Sequence, residues 1–106
     1  MITIDTEVDL KNDRFSMDID GHAYYAEVGK DIVCAAVSVL IETLVDRLDD
    51  VTDSYHVEIT DGKIKRIGAS GTEALKVLAT ILTGLELIQN TYPENVKVTT
   101  LPISEN

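Results

Sequence analysis

The chain contains very few of the residues that form disulfides and metal centres. Its 106 residues include one cysteine, two histidines and no tryptophan. A single cysteine cannot form an internal disulfide, and the two histidines have no ligand spacing with it. We therefore expect neither a disulfide-stabilised domain nor a metal site.

Aromatic residues are also scarce, at 5% of the chain, whereas hydrophobic residues make up 44%. Aliphatic side chains must therefore form the core. A chain of this length is expected to fold as one domain, residues 1–106, with a modest core to which dimerisation would add.

Basic residues are outnumbered: nine Lys and Arg face nineteen Asp and Glu, and the formal net charge is −10. Such a charge repels phosphates and argues against direct binding of nucleic acid. It would speed the encounter with a basic polypeptide, although solubility is the more common reason for an acidic surface.

Long hydrophobic runs are absent. The longest nearly apolar stretch, residues 32–41, is too short to span a bilayer and contains Ser38. The first five residues contain no basic region of the kind that begins a signal peptide. We therefore expect a cytoplasmic protein whose thiol is reduced and that has no membrane partner.

Two hairpins are predicted. Apolar side chains or threonine alternate with polar ones over residues 2–8 and again over residues 15–19, with a turn signal at 11–13. Residues 56–67 resemble a second hairpin around Asp61-Gly62, a pair suited to a two-residue type I′ turn. A last short strand is expected near residues 96–101.

Two helices are predicted between these strands. The first runs from about Asp31 to Asp49, and its apolar stripe is widened almost all round by further apolar residues. The stripe positions are Val33, Val37, Leu40, Leu44 and Leu48. The second begins at a capping-box pattern, Ser70 and Glu73, and ends before Pro93. The order ββαββαβ predicts a two-layer α+β sandwich with a mainly antiparallel sheet and two helices.

Cys34 and His22 are the candidate catalytic residues. Asp31 is a good N-cap, which places Cys34 at about the third helical position, where the helix dipole and unpaired N–H groups favour a thiolate. His22 follows the second strand after Gly21, which allows a sharp turn. The pair suits acyl transfer, with Cys34 as nucleophile, His22 as base and the first N–H groups of the helix around the oxyanion.

Several structural alternatives remain open. A lone cysteine in an apolar helix is usually a small buried hydrophobe. Asp31 could orient His22 or act only as a cap, and Ser38 could bond near the thiol or to a helix carbonyl. Residues 23–30 lack periodicity and form a predicted loop over the site, in which Tyr24, Tyr25 and Gly29 are candidate substrate contacts.

Residues 21–38 resemble the ribosomal-processing cysteine protease (Prp) family. The resemblance is carried by Gly21-His22-Ala23, by Gly29 in the loop, and by Asp31-Ile32-Val33-Cys34-Ala35-Ala36-Val37-Ser38. The resemblance implies a Cys34–His22 dyad, a homodimer and no cofactor. It also implies a substrate: the short N-terminal extension of a bacterial large-subunit ribosomal protein, or a phage structural protein with a similar extension. The alternative is a non-catalytic dimeric module that binds a basic segment of a ribosomal protein or assembly intermediate.

Overall fold

Five strands and two long helices follow one another in the predicted order, ββαββαβ. The computed structural model describes residues 1–27 and 29–103, so the predicted loop over residues 23–30 is described except at Val28. The elements are β1 (Ile2–Asp9), β2 (Arg14–Gly21), α1 (Ile32–Val51), β3 (Tyr55–Thr60), β4 (Lys63–Ser70), α2 (Thr72–Thr91) and β5 (Val96–Pro102).

The five strands form one mixed sheet in the order β3-β4-β2-β1-β5. Three of the four pairings are antiparallel, and β5 pairs with β1 in parallel. A parallel pairing needs a long crossover, which α2 provides between β4 and β5. The prediction of a mainly antiparallel two-layer α+β sandwich is confirmed.

The second hairpin has the predicted turn. Asp61 and Gly62 have φ values of 53° and 74°, as a type I′ turn requires at both central positions. The turn pairs Thr60 with Lys63, so β4 begins directly after it. This register places Lys63 at the start of β4, close to the residue that follows β2.

The predicted capping box at the start of α2 is wrong. Ser70 is the last residue of β4, and its N–H donates to the carbonyl of Ser54 at 2.9 Å. The N-cap is Gly71, with φ of 123° and no side-chain cap. Because β4 continues through Ser70, the helix begins one residue too late for that hydroxyl to cap it.

Both helices pack on the same face of the sheet. The buried positions of α1 are Val33, Val37, Ile41, Leu44 and Leu48. The predicted stripe had Leu40 in place of Ile41. Leu40 is only partly buried and lies against Gly84 of α2, where a Cβ would come 3.0 Å from its Cδ1. Small Gly84 therefore lets α1 and α2 come close together.

The side of α1 facing away from the sheet is exposed and apolar. Ile32 and Val39 retain 55% and 60% of their accessible surface. The sheet and α2 therefore cover only part of the wide apolar surface predicted for this helix. In the part of the chain that the structure describes, neither helix is long and apolar enough to cross a membrane.

Candidate active site

Cys34 occupies the third position of α1, as predicted. Asp31 is the N-cap, and its Oδ1 accepts hydrogen bonds from the backbone N–H groups of Val33 at 3.0 Å and Cys34 at 2.9 Å. The cap fixes the first turn and leaves the thiol half-buried at the surface. This geometry presents Cys34 to a ligand, unlike that of a fully buried structural cysteine.

Asp31 also holds the preceding loop. Its second carboxylate oxygen, Oδ2, accepts from the N–H groups of Tyr25 at 3.0 Å and Ala26 at 3.3 Å. The backbone N–H of Cys34, followed by those of Ala26 and Tyr25, lowers the pKa of Asp31 against a smaller desolvation effect. Both oxygens are therefore used by backbone groups, and the residue joins the loop to the helix.

This cap changes the prediction for the oxyanion. The N–H groups of Val33 and Cys34 donate to Asp31, and that of Ala35 donates to the carbonyl of Asp31 at 3.1 Å. These groups are already satisfied in this structure. The cap therefore competes with an oxyanion for these groups, and the expectation that the first N–H groups of α1 surround an oxyanion stays a prediction.

His22 is placed by the end of β2. Gly21 has φ of 88°, and a Cβ at this position would overlap the carbonyl oxygen of Met1. Gly21 therefore supports the site through the backbone, since another residue would be both strained and obstructed. The His22 ring is exposed, with the Tyr24 ring centroid 5.6 Å from its own.

Two surface clefts meet at the candidate dyad. The first lies between α1 and the adjoining ends of β2 and β4, and the second lies between α1 and the loop that precedes it. Of the residues that the structure describes, four line both clefts: His22, Cys34, Ser38 and Lys63. The structure thus brings together the two predicted catalytic residues, which are twelve positions apart in sequence, with one predicted supporting residue.

No hydrogen bond joins His22 to Cys34 within the described residues. Catalytic contacts are often long in free enzymes and tighten when substrate binds, so the shared clefts are the relevant geometry. Ser38 lies one helical turn beyond Cys34 on the same face, and its hydroxyl makes no hydrogen bond to residues 1–27 or 29–103. Its predicted bond near the thiol is therefore not formed in this structure.

Two of the three loop residues predicted to contact substrate line a cleft, and the third does not. Tyr24 and Gly29 line the second cleft, and Tyr24 is 77% exposed. Tyr25 lines neither cleft and packs edge-on against Tyr92, with ring centroids 5.2 Å apart. The loop is further held by a hydrogen bond from Asn95 Nδ2 to the carbonyl of buried Ala23 at 2.9 Å.

Lys63 is the residue that sequence reasoning missed. Its Nζ lies 3.3 Å from Nδ1 and 3.5 Å from Nε2 of His22. The two residues are 41 positions apart, and only the adjacency of β4 and β2 in the sheet brings them together. The Asp61-Gly62 turn signals a hairpin but does not show which strand lies beside it.

The sequence model of the family described as cysteine protease Prp matches residues 1–97. The chain belongs to the cysteine protease Prp family. The resemblance noted from residues 21–38 therefore extends over nearly the whole chain, and the protein is a cysteine protease.

Relatives of known structure support the assignment. The ribosomal processing cysteine protease Prp of two Staphylococcus aureus strains is 30% identical over 103 residues, covering 92% of this chain and 97% of the relative. A crystal structure of the S. aureus protease with a covalently linked product peptide has a TM-score of 0.77 at 29% identity. A second, with a substrate peptide, has a TM-score of 0.71 at 30% identity. Each comparison covers 94% of this chain and 99% of the solved chain.

Proposed function

We propose that this cysteine protease removes a short N-terminal extension from a bacterial large-subunit ribosomal protein. The similar S. aureus proteins are ribosomal processing cysteine proteases, and this chain matches 97% of their length. The observation that carries the proposal is the meeting of both clefts at His22 and Cys34. An extended peptide could lie along the clefts with its scissile bond at their junction.

The proposed chemistry begins with proton transfer from the Cys34 thiol to His22. The sulfur then attacks the peptide carbonyl, and the carbonyl electron pair moves onto oxygen. Collapse of this intermediate breaks the C–N bond, and His22 returns its proton to the leaving amine. Water hydrolyses the thioester and restores the thiol. No metal or organic cofactor is needed for these steps.

We further propose that the protein is a cytoplasmic homodimer. The exposed face of α1, with Ile32, Ala36 and Val39, is the surface that a second copy would cover. Exposed apolar patches of this kind favour self-association. The formal charge of −10 favours a basic protein substrate and disfavours direct contact with nucleic acid.

The decisive experiment is incubation of the protein with bacterial ribosomal proteins, followed by measurement of intact masses. The proposal predicts that one large-subunit protein loses a short N-terminal peptide, and that a Cys34→Ala variant leaves it whole. The same incubation with a phage structural protein that carries a similar extension tests the other substrate class, which trimming of that protein alone would support. Ribosomal proteins of unchanged mass would refute the proposed substrate.

The non-catalytic binding module makes a different prediction for the thiol. A nucleophilic Cys34 should be alkylated quickly near neutral pH, whereas the thiol of a binding module should react slowly. The family assignment and the half-buried, cleft-lining position of Cys34 favour the enzyme. Slow alkylation combined with tight retention of a ribosomal protein would favour the binding module.

A further inference from the structure

Lys63 is the cation at the centre of the site. It lines both clefts together with His22 and Cys34, and its ammonium group lies 3.3 Å from Nδ1 of His22. Lysine has donors and no acceptor, so a hydrogen bond in this contact has Nζ as the donor and a ring nitrogen as the acceptor. The ammonium group therefore lies beside the side chain that is proposed to accept the Cys34 proton.

Among the residues that the structure describes, Lys63 differs from its neighbours in β4 because it has no carboxylate partner. The next two cations of β4 are paired across the sheet: Lys65 with Asp20 at 3.6 Å and Arg66 with Asp18 at 2.7 Å. Within the described residues, no carboxylate lies at ion-pair distance from Lys63. An unpaired ammonium group at the junction of two clefts is available to an anionic group of a ligand.

Two backbone N–H groups in the first turn of α1, which could otherwise stabilise an anion, already have an acceptor. Asp31 accepts the N–H groups of Val33 and Cys34, and its carboxylate lies at the positive end of α1. Lys30 also lines the second cleft, but it is paired with Glu27 at 3.1 Å. Among the described side chains of the two clefts, Lys63 is therefore the positive group best placed to balance a negative charge at Cys34.

We propose that Lys63 stabilises the anions that form at Cys34: the thiolate and the oxyanion of the tetrahedral intermediate. The inference rests on the proposed role of Cys34 as nucleophile. When His22 accepts the thiol proton, the imidazolium repels the ammonium group of Lys63. The flexible lysine side chain then turns from the ring toward the new negative charge. Lys63 remains protonated throughout and exchanges no proton.

The first test compares two alkylating reagents of similar size but different charge. Iodoacetate is an anion and iodoacetamide is neutral, and each forms an S–C bond with Cys34 while iodide leaves. An ammonium group beside Cys34 raises the iodoacetate rate relative to the iodoacetamide rate. We expect Lys63→Gln to lower this ratio by about 3- to 10-fold at low ionic strength, as for removal of a unit charge at a partly screened site.

Matched variants distinguish a local effect from a change in net charge. Lys97→Gln removes the same charge from an exposed position on β5 and should leave the ratio unchanged. Lys63→Arg keeps the charge and should retain most of the wild-type ratio. Because Lys63 is exposed, the variants should unfold at the wild-type temperature. A ratio that is the same in wild type and Lys63→Gln would overturn the inference.

The second test is kinetic. With a cleaved substrate, Lys63→Gln should lower kcat by about 10²-fold with little change in KM, as for loss of one oxyanion donor. Wild-type kcat in Lys63→Gln would overturn the inference while leaving the proposed protease function intact. Failure of the wild type to trim a ribosomal protein would refute the proposed substrate, whereas the reagent ratio would still report on Lys63.

Discussion

At the scale of single residues, we expect activity to depend on Cys34 more than on any other side chain. Cys34→Ala should abolish cleavage, because no other residue in the chain carries a thiol. The fold should remain, since the side chain is only half-buried and the helix cap uses its backbone N–H. Intact-mass analysis of the substrate and circular dichroism of the variant check both statements. Cleavage by Cys34→Ala at the wild-type rate would exclude the dyad.

His22 is expected to act as the general base. Loss of such a group costs about 10²–10⁴-fold in rate, so His22→Ala should slow cleavage by that amount. The same variant should slow alkylation of Cys34 by iodoacetamide. His56→Ala is the matched control, because His56 lies on β3 and lines neither of the two clefts at Cys34. If His22→Ala and His56→Ala gave equal rates, His22 could not be the base.

Asp31 gives the site a dependence on pH. Its pKa in the folded protein is lowered, first by the N–H of Cys34, so its stabilising contribution is present at neutral pH. That contribution is lost as the pH falls through the lowered pKa. Asp31→Asn removes the one acceptor, Oδ2, of two loop hydrogen bonds, since an amide nitrogen cannot accept from Tyr25 and Ala26.

The stability difference between wild type and Asp31→Asn should therefore be largest near pH 7 and shrink toward about pH 3. Urea unfolding midpoints across this range measure the difference. Asp46→Asn, an exposed carboxylate change on the same helix, is the control and should show no such trend. A difference that stayed constant over the whole range would mean that the carboxylate charge of Asp31 is unimportant.

At the scale of elements, the loop before α1 was predicted to close over the site. The structure ties the loop down at Ala23, Tyr25 and Ala26. We therefore expect substrate to act on the part that lines the second cleft, near Gly29. In the inactive Cys34→Ala variant, the Gly29 amide should exchange hydrogen quickly alone and more slowly with a substrate peptide bound.

The amides of Tyr25 and Ala26 serve as an internal control in the same experiment. Both donate to Asp31, so their exchange should be slow with or without the peptide. Slow exchange at Gly29 in the free protein, unaltered by substrate, would show that the loop does not close on binding.

At the scale of the whole molecule, the exposed apolar face of α1 predicts a homodimer. Sedimentation equilibrium at micromolar concentration should give twice the mass of one chain. Val39→Asp should weaken the association by more than about tenfold, because it places a charge within the interface. Leu87→Asp changes a similarly exposed residue on α2 and should leave the dimer intact. A wild-type monomer at this concentration would refute the prediction.

The sequence alone determined the elements and most of the site. Side-chain periodicity and turn signals together predicted the order of strands and helices, because half-buried strands and amphipathic helices impose periods of two and 3.6 residues. The Asp31 cap and the Asp61-Gly62 turn were also readable, since each depends on a few neighbouring residues. Residues 21–38 were sufficient to indicate the family, which the comparison over residues 1–97 confirmed.

Only the tertiary structure decided what depends on contacts between distant segments. The strand order places β4 beside β2, and this pairing brings Lys63 to His22. Continuation of β4 through Ser70 removed the expected cap of α2, and the packing of the two helices placed Leu40 against Gly84. Local pattern fixes which residues form an element and which of its faces is apolar. The free energy of packing those faces together selects the neighbours, and so it placed a cation beside the candidate catalytic pair.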